Sequence, residues 1–386
     1  QTLFSKELTV SEVFTTLQKL ASLEGRSSQD IKLNTLNKLL TNAKPLEAKF
    51  LVRTVLEDLR VGVAEGTLRD ATALAFFTTN FNYDKKSNTL THTMKSGFSL
   101  EEVKEEVKRA LDITADVAKV IKHIKKGNAL SDITLVVGTP CKVMLARKEK
   151  SFDEAFARTN LPVRVEYKYD GFRVQIHKNK HEIKLFTRRL EEVTTQFPDV
   201  IKAVQQHITA STCIIDGEIV GYDAQTNKYK PFQFISQRIR RKYDIERLAK
   251  ELPVEVNIFD ILSLEGKETI NKPLTERISL AKSIIQEEKR VLVSAKGITV
   301  KKKKDANAFY QESLSAGNEG IMIKDLSKEY VPGGRVSAWI KMKPTMEELD
   351  LVIVKAQWGE GKRSKWMTSF TLACRDGEDI LSVGKV

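Results

Sequence analysis

Lysine and glutamate side chains that suit phosphate chemistry fall on the polar parity of predicted strands. In VRVEYK (163–168), alternation places Glu166 and Lys168 on the face opposite the apolar residues. Lys341 and Lys343 share one face of the segment 338–343 in the same way. A face with several cations suits the phosphates of a nucleotide.

Two further strands supply carboxylates and an aromatic ring. Asp216 and Glu218 share a face of CIIDGEIV (213–220), and paired carboxylates can hold a hard cation such as Mg²⁺. In the predicted strand 254–260 the apolar residues share one face, and Phe259 lies on the opposite, polar face. An aromatic ring there could stack on a base. Each feature alone also fits a solvated strand surface. Together they predict a nucleotide pocket with cations for phosphates, carboxylates for a metal and a ring for the base.

The elements that position these residues differ along the chain. Residues 1–137 show helical spacing and predict an all-α domain. Helices are expected around 10–20, 46–59, 65–77, 99–111 and 116–126. Residues 138–346 change to period-two strands mixed with helices, which predicts an α+β domain built on antiparallel sheet.

Within this second domain, Asp170-Gly171 between two predicted strands indicates a hairpin turn. The predicted strands are 163–168, 172–177, 182–187, 213–220, 254–262, 291–294, 320–324 and 338–343. The predicted helices are 198–208, 235–250, 274–288 and 306–316, the last capped by Asp305 and ended by Gly317. Residues 347–386 form a third unit with strands at 349–357 and 367–374, too short to close a barrel alone.

Composition narrows the class of partner. The 386 residues carry 64 Lys and Arg against 51 Asp and Glu, a net charge of +13, and nearly all of the excess lies within 138–346. A basic surface favours a polyanionic partner. No apolar run is long enough to span a membrane. The three cysteines are far apart, so neither a disulfide framework nor a four-cysteine zinc site is indicated.

Five ordered motifs resemble those of the covalent nucleotidyltransferases, and specifically the ATP-dependent DNA ligases of archaea and eukaryotes. In chain order they are KYDGFR (168–173), GEI (217–219), VNIFDIL (256–262), EGIMIK (319–324) and WIKMK (339–343). TRRLEEVT (187–194) resembles a further element of that family, and LEAKFLVRTVLEDLRVGVAEGTLRDA (46–71) its DNA-binding domain. The resemblance covers nearly the whole chain and implies a DNA-binding domain (1–137), a nucleotidyltransferase domain (138–346) and the start of an oligonucleotide-binding (OB) fold (347–386).

The resemblance also implies roles for single residues. Lys168 corresponds to the nucleophile that forms lysyl-AMP from ATP, with Lys341 and Lys343 on the phosphates. Glu166 is expected to accept from the adenine amino group, and Phe259 to stack on the ring. Arg173 and Arg188 are expected to hold the ribose and phosphate. Glu218 and Glu319 are expected to face the Mg²⁺ ion. The role of Asp170 stays open between catalysis and turn formation, and that of Trp339 between a pocket lid and the core.

The expected substrate is nicked duplex DNA, which such enzymes contact through phosphates. The DNA-binding candidates are Arg60, Gly62, Gly66, Arg238, Arg240 and Arg241, with the run Lys301 to Lys304 as a further one. Solubility explains the basic runs equally well. The implied protein is a monomer in the cytoplasm or nucleoid, or in the nucleus of a eukaryote, with a sliding clamp as a candidate partner and no membrane association.

The chain departs from the family pattern at three places. No counterpart of the family's last basic motif precedes Val386. Helices that the family has before the position of Gln1 are also missing. We therefore expect both ends to be trimmed. Asp325 stands where family members commonly carry a basic residue. The alternatives are an RNA ligase, a GTP-dependent capping-type nucleotidyltransferase and a non-catalytic nick-binding protein. The long helical segment ahead of KYDGFR favours a DNA ligase, and the intact lysines argue against a purely binding role.

Overall fold

The structure is a computed structural model that describes residues 7–23, 28–56, 64–95, 97–239, 241, 243–344, 349–359 and 363–386. The chain divides into two compact units. The first contains residues 1–111 and 117–130, and the second contains residues 112–116 and 131–386.

The first unit is mainly helical. Its elements are α1 (Val10–Ser22), α2 (Ser28–Asn42), α3 (Pro45–Val55), α4 (Glu65–Phe77), β1 (Thr78–Asp84), β2 (Thr89–Met94), α5 (Leu100–Thr114) and α6 (Val117–Lys125). Pro45 begins α3, and Gly127 follows α6 with a φ of +80°. The prediction of an all-α domain is wrong at β1 and β2, which pair as an antiparallel hairpin. Threonine and aromatic residues favour strand there, although Asn80 and Asn82 do not.

The second unit begins with mixed elements that build two sheets. They are β3 (Leu145–Lys148), α7 (Phe152–Ala157), β4 (Val163–Lys168), β5 (Phe172–Asn179), β6 (Glu182–Thr187), α8 (Pro198–His207), β7 (Thr212–Gly221), α9 (Phe232–Ile239), α10 (Ile245–Glu251), β8 (Val254–Leu264), β9 (Lys267–Glu268), α11 (Leu274–Ile284), β10 (Leu292–Ser294), β11 (Gly297–Val300), α12 (Lys303–Ser315), β12 (Gly320–Asp325) and β13 (Arg335–Met342). Three later strands, β14 (Val352–Trp358), β15 (Met367–Asp376) and β16 (Asp379–Lys385), form a separate antiparallel sheet.

One sheet has the strand order β10-β8-β7-β5-β6, with β9 paired to β8, and the other has the order β11-β4-β12-β13-β3. Strands β4 and β5 therefore belong to different sheets, and the predicted hairpin across Asp170-Gly171 is wrong. The chain instead passes from one sheet to the other between Lys168 and Phe172. Gly171 is needed for close approach, because a Cβ there would lie 2.2 Å from the carbonyl oxygen of Ile219.

Apolar parity correctly assigns the core faces. Val174, Ile176, Val256 and Ile258 pack with helices α8, α9 and α11 behind the first sheet. The apolar side chains of β4 and β12, with Ile340 and Met342 of β13, pack on α7 and α12 behind the second. A third cluster that includes Met144, Leu262, Tyr330 and Trp339 joins the inner faces of the two sheets.

Two helix predictions require correction. The helix expected at 235–250 is two helices, α9 and α10, because Asp244 adopts a left-handed conformation with a φ of +57°. Asp305 lies inside the first turn of α12, whose N-terminal cap is Lys302, so it is not the cap. Gly317 ends this helix as predicted, with a φ of +84°.

The strands β14 to β16 form an open three-stranded sheet. Within residues 349–359 and 363–386 no barrel closes.

Candidate nucleotide-binding and catalytic site

A cavity of about 980 Å³ opens between the facing sides of the two large sheets. Side chains of predicted site residues line it from both sheets and from the crossing segment between β4 and β5: Glu166, Lys168, Asp170, Arg173, Arg188, Glu218, Phe259, Glu319, Trp339, Lys341 and Lys343. These residues are spread over 178 positions of the chain. The tertiary structure therefore brings together the site residues predicted within the second unit, apart from Asp216 and the DNA-binding candidates. The prediction that Asp216 pairs with Glu218 to hold a metal is wrong, because Asp216 is fully buried behind the cavity.

One end of the cavity carries the amine cluster. Nζ of Lys168 lies 2.5 Å from Oε2 of Glu319, and Nζ of Lys343 lies 2.7 Å from the same oxygen. Burial lowers the pKa of Lys341, and the positive charges of Lys168 and Lys343 lower it further. This end therefore concentrates positive charge on a partly dry surface, as a site for phosphates requires.

Glu218 projects from β7 toward the same end. Burial raises the pKa of its carboxyl to about 7, although the charges of Lys168 and Arg173 oppose this rise. The like charge of Glu319 adds to it. Within the described part of the chain, no residue forms a hydrogen bond or ion pair with this carboxylate. The described part of the chain likewise contains no group of three or more His, Cys, Asp or Glu residues that could hold a metal ion.

The other end of the cavity is aromatic. Phe259 and Trp339 stand edge to face with ring centroids 6.0 Å apart. Nζ of Lys324 lies 4.5 Å from the Phe259 ring centroid and 4.3 Å from that of Trp339. Trp339 is buried and also contacts Tyr330, so it belongs to the core and lines the cavity at once. As predicted, the Phe259 side chain lies on the face of β8 opposite Val256 and Ile258, and it lines the cavity.

Glu166 lies at this aromatic end between two cations. Its Oε2 is 2.5 Å from Nζ of Lys324, and its Oε1 is 3.2 Å from Nε of Arg164. Glu166 and Lys324 are both nearly inaccessible to solvent. A carboxylate and an ammonium are thus fixed beside the rings.

Arg173 is held from behind the cavity. Its guanidinium donates to Asp216 at 2.7 Å, to the hydroxyl of Tyr330 at 3.0 Å and to the carbonyl of Met144 at 2.6 Å. Burial acts against its charge, but Asp216 outweighs this effect and the pKa of Arg173 is raised. Asp216, predicted beside Glu218, therefore anchors Arg173 and is fully buried.

Two matched segments relate this chain to known proteins. Residues 143–343 match the family model described as ATP dependent DNA ligase domain, and residues 1–73 match that described as DNA ligase N terminus. The first match alone spans more than half of the chain. The chain belongs to the ATP-dependent DNA ligase family.

Ligases of archaea are among its relatives. The DNA ligase of Nanoarchaeum equitans is 47% identical over 388 residues, an alignment that covers 100% of this chain and 64% of that protein. The DNA ligase of Thermococcus fumicolans is 38% identical over 99% of this chain and 65% of its own length. The chain thus spans slightly less than two thirds of the length of these ligases.

A solved structure named Pmar-Lig_PreS3 has the same overall fold, with a TM-score of 0.57 at 18% identity over 99% of this chain and 74% of that chain. The ligase-family fold of this chain is thus a helical N-terminal part followed by a mixed α/β part with antiparallel sheets. No helix in the described ranges is long and apolar enough to cross a membrane.

The DNA-binding predictions have different outcomes. Arg238 is wrong as a DNA contact, because its side chain is 1% exposed, pairs with Asp199 at 2.5 Å and stacks on Phe197. Its helix turns it inward. Arg241 and Gly66 are exposed and stay predictions. Arg60, Gly62 and Arg240 lie outside the described residues. The run Lys301 to Lys304 is exposed, and Lys303 pairs with Asp153.

Sequence reasoning missed three cations of the cavity. Arg189, Lys324 and Arg335 all line the cavity. The parity of β12 contains the signal for Lys324, since Ile321 and Ile323 face the core while Lys324 shares the opposite side with Met322.

Asp325, which departs from the family pattern, accepts hydrogen bonds from the backbone nitrogen of Asn160 at 2.9 Å and from Ser327. It ties the end of β12 to the segment that precedes β4.

Proposed function

We propose that this chain carries the adenylation chemistry of an ATP-dependent DNA ligase, which seals nicks between a 5′-phosphate and a 3′-hydroxyl in duplex DNA. One observation carries the proposal. Lys168 and Lys343 share a single carboxylate oxygen of Glu319 in a cavity whose other end offers Phe259 for a base. A nucleophile, its phosphate-binding cations and a base platform therefore face one space.

In the first step, the neutral amine of Lys168 attacks the α-phosphorus of ATP, forms a P–N bond and releases one proton to solvent. The bond from this phosphorus to the oxygen that bridges to the β-phosphate breaks, and pyrophosphate leaves with the electron pair. Lys341 and Lys343 stabilise the charge on the reacting phosphates. The AMP then moves to the 5′-phosphate of the nick, and the 3′-hydroxyl displaces it to join the strands.

The remaining cavity residues position the nucleotide. Phe259 stacks on adenine, and Glu166 accepts a hydrogen bond from the adenine amino group. Arg173 and Arg188 hold the ribose and a phosphate. The support is the placement of Glu166 beside the rings, and of Arg173 between Phe259 and the phosphate end of the cavity.

Glu218 and Glu319 suit a single Mg²⁺ ion. The Glu218 carboxylate has no partner among the described side chains and backbone donors, and burial raises its pKa to about 7. Mg²⁺ commonly takes one or two carboxylates together with water and substrate phosphates, which fits this pair. When bound, the ion neutralises phosphate charge.

The wider assignment follows from family membership. We infer that the substrate is nicked double-stranded DNA in replication, repair or recombination, and that the protein acts as a monomer in the cytoplasm or nucleoid. A sliding clamp is the proposed protein partner. Residues 1–137, 138–346 and 347–386 are proposed as DNA-binding domain, adenylation domain and the beginning of an OB-fold domain.

The decisive experiment is intact-mass spectrometry of the purified protein after incubation with Mg²⁺ and either ATP or GTP. We expect a gain of one AMP that is labile to acid, absent from Lys168→Ala and from the charge-retaining control Lys168→Arg, because arginine is not deprotonated near neutral pH. Both variants should keep their affinity for nicked DNA. A GMP adduct would favour the capping-type alternative, and an adduct on Lys168→Arg would remove Lys168 from its role.

A further inference from the structure

We propose that the hairpin of β1 and β2, called here the ribbon (78–94), is an additional DNA-binding element of this protein. The proposal rests on the proposed function, since the ligand is the duplex on either side of the nick. The ribbon lies outside both segments that match the family models, which cover residues 1–73 and 143–343. It lies within residues 1–137, proposed above as the DNA-binding domain, and none of the DNA-binding candidates named from the sequence falls on it.

The ribbon is exposed on both faces. Thr78 is the only buried residue of β1, and every residue of β2 except Met94 is exposed. An isolated two-stranded hairpin is marginally stable in water, and such elements gain from a partner. No other part of the described chain covers either face.

The two faces differ in chemistry. Phe81 pairs with His92 and Tyr83 pairs with Leu90, which places these four side chains on one face. Phe81 is 55% exposed and Tyr83 is 51% exposed. The opposite face is a polar row in which Asn80 pairs with Thr93 and Asn82 with Thr91. Amide and hydroxyl groups of this kind donate to phosphate oxygens and base edges.

The tip of the ribbon is basic. Lys85 and Lys86 are exposed and form no ion pair with any described residue. The only acidic residue of the ribbon, Asp84, is occupied within the turn, where the backbone nitrogen of Lys86 and the hydroxyl of Ser87 both donate to its carboxylate. These hydrogen bonds lower the pKa of Asp84. The tip thus presents two free ammonium groups on a turn that is locally fixed.

Duplex DNA fits this arrangement better than a protein surface. The major groove admits a two-stranded β-ribbon, which places polar side chains against the groove and lysines against flanking phosphates. Two lysines at the tip match the charge of the phosphates, whereas a protein partner would be expected to use the aromatic face alone. We therefore assign the ribbon to duplex DNA outside the nick.

The test compares Lys85→Ala/Lys86→Ala with the charge-retaining control Lys85→Arg/Lys86→Arg in equilibrium binding to fluorescent nicked duplex. Each phosphate contact contributes about 0.9 to the slope of log affinity against log salt concentration, so the alanine variant should reduce the slope by roughly 1.8. The arginine variant should keep the slope of the native protein. The exposed position of both lysines makes unfolding an unsuitable explanation, and thermal melting checks this.

Formation of lysyl-AMP should be unchanged in both variants, because the ribbon contributes no residue to the cavity. An unchanged salt slope and affinity in the alanine variant would overturn the ribbon proposal and would leave the aromatic face to a protein partner. Failure of the proposed function appears separately, as the absence of an AMP adduct on the native protein.

Discussion

Nζ of Lys168 lies 2.5 Å from Oε2 of Glu319, the oxygen that Lys343 also contacts. Burial alone would raise the pKa of Glu319, but the two lysines outweigh burial and lower it. The shared carboxylate holds two ammonium groups together that would otherwise repel each other. In the proposed reaction this contact must break when the amine turns to the α-phosphate.

Replacement of Glu319 by Gln should slow adenylation at least tenfold. The amide keeps the size of the side chain but removes the charge that gathers Lys168 and Lys343, so the amine is less well positioned. Rapid-quench measurement of AMP adduct formation at saturating ATP checks this. Lys343→Ala removes one cation but keeps the Glu319 carboxylate beside Lys168. Comparison of the two variants separates the positioning of the Lys168 amine from the loss of positive charge at the phosphates. An adduct formed by Glu319→Gln at the native rate would contradict the interpretation.

Replacement of Lys324 by Met should destabilise the protein by about 3 kcal/mol, because removal of one partner leaves a buried charge poorly compensated. Glu166 would retain only Arg164, 3.2 Å away. Urea unfolding measures the loss in the free energy of unfolding. The double variant Lys324→Met/Glu166→Gln should recover part of it, since both charges are then gone. Equal stability of the single variant and the native protein would show that the pair is not coupled.

Replacement of Gly171 by Ala should cost ~3 kcal/mol, because the added Cβ would overlap the carbonyl oxygen of Ile219 on β7. The matched control is Gly66→Ala in α4, where no heavy atom lies within 4 Å of the added carbon. That change should stabilise the helix by about 1 kcal/mol. Thermal unfolding measures both. Equal melting temperatures for the two variants would refute the close-approach explanation.

Gly66→Ala also tests its predicted role at DNA. A backbone amide that lies against a phosphate tolerates no added methyl group at that surface, so affinity for nicked DNA should fall while adenylation stays unchanged. Equilibrium binding to a fluorescent nicked duplex measures the effect. Unchanged affinity would remove Gly66 from the DNA-binding surface.

His177 should make the protein sensitive to acid. Its Nδ1 accepts from the backbone nitrogen of Gly138, so Nε2 carries the proton and donates to Gln175. Burial, with a smaller contribution from the charge of Lys184, lowers the pKa of His177 to about 3. Below an unfolded pKa near 6.5 only the unfolded chain takes up the proton, so this contribution to stability is lost as pH falls toward 3.

Between pH 6.5 and pH 3, this single proton lowers the free energy of unfolding by about 1.4 kcal/mol for each unit of pH. Urea unfolding from pH 7 to pH 4 measures it, and His177→Gln should flatten the curve by that amount. His207→Gln serves as a control, because His207 lies within reach of Glu288 on a less buried surface. Identical slopes for native protein and His177→Gln would show that another group titrates.

Alternation of apolar and polar residues was enough to predict most strands of the second unit and the cavity face of Glu166, Lys168, Phe259 and Lys341. Side-chain direction in a strand depends only on parity, which is a local property. Two predictions from other local signals were wrong: the hairpin from the Asp170-Gly171 turn pair and the DNA contact from the basic run that contains Arg238. A turn sequence does not reveal which strands pair, and a basic residue in a helix does not reveal which neighbour will bury it.

The sequence by itself determined the residue types, their order and the face of each strand on which they lie. Only the tertiary structure decided that Lys168 stands where the chain passes between two sheets, that Glu319 joins it to Lys343, and that Asp216 supports Arg173 rather than facing the cavity. These relationships join residues more than 20 positions apart. They depend on how the sheets pack, which no local pattern of spacing records.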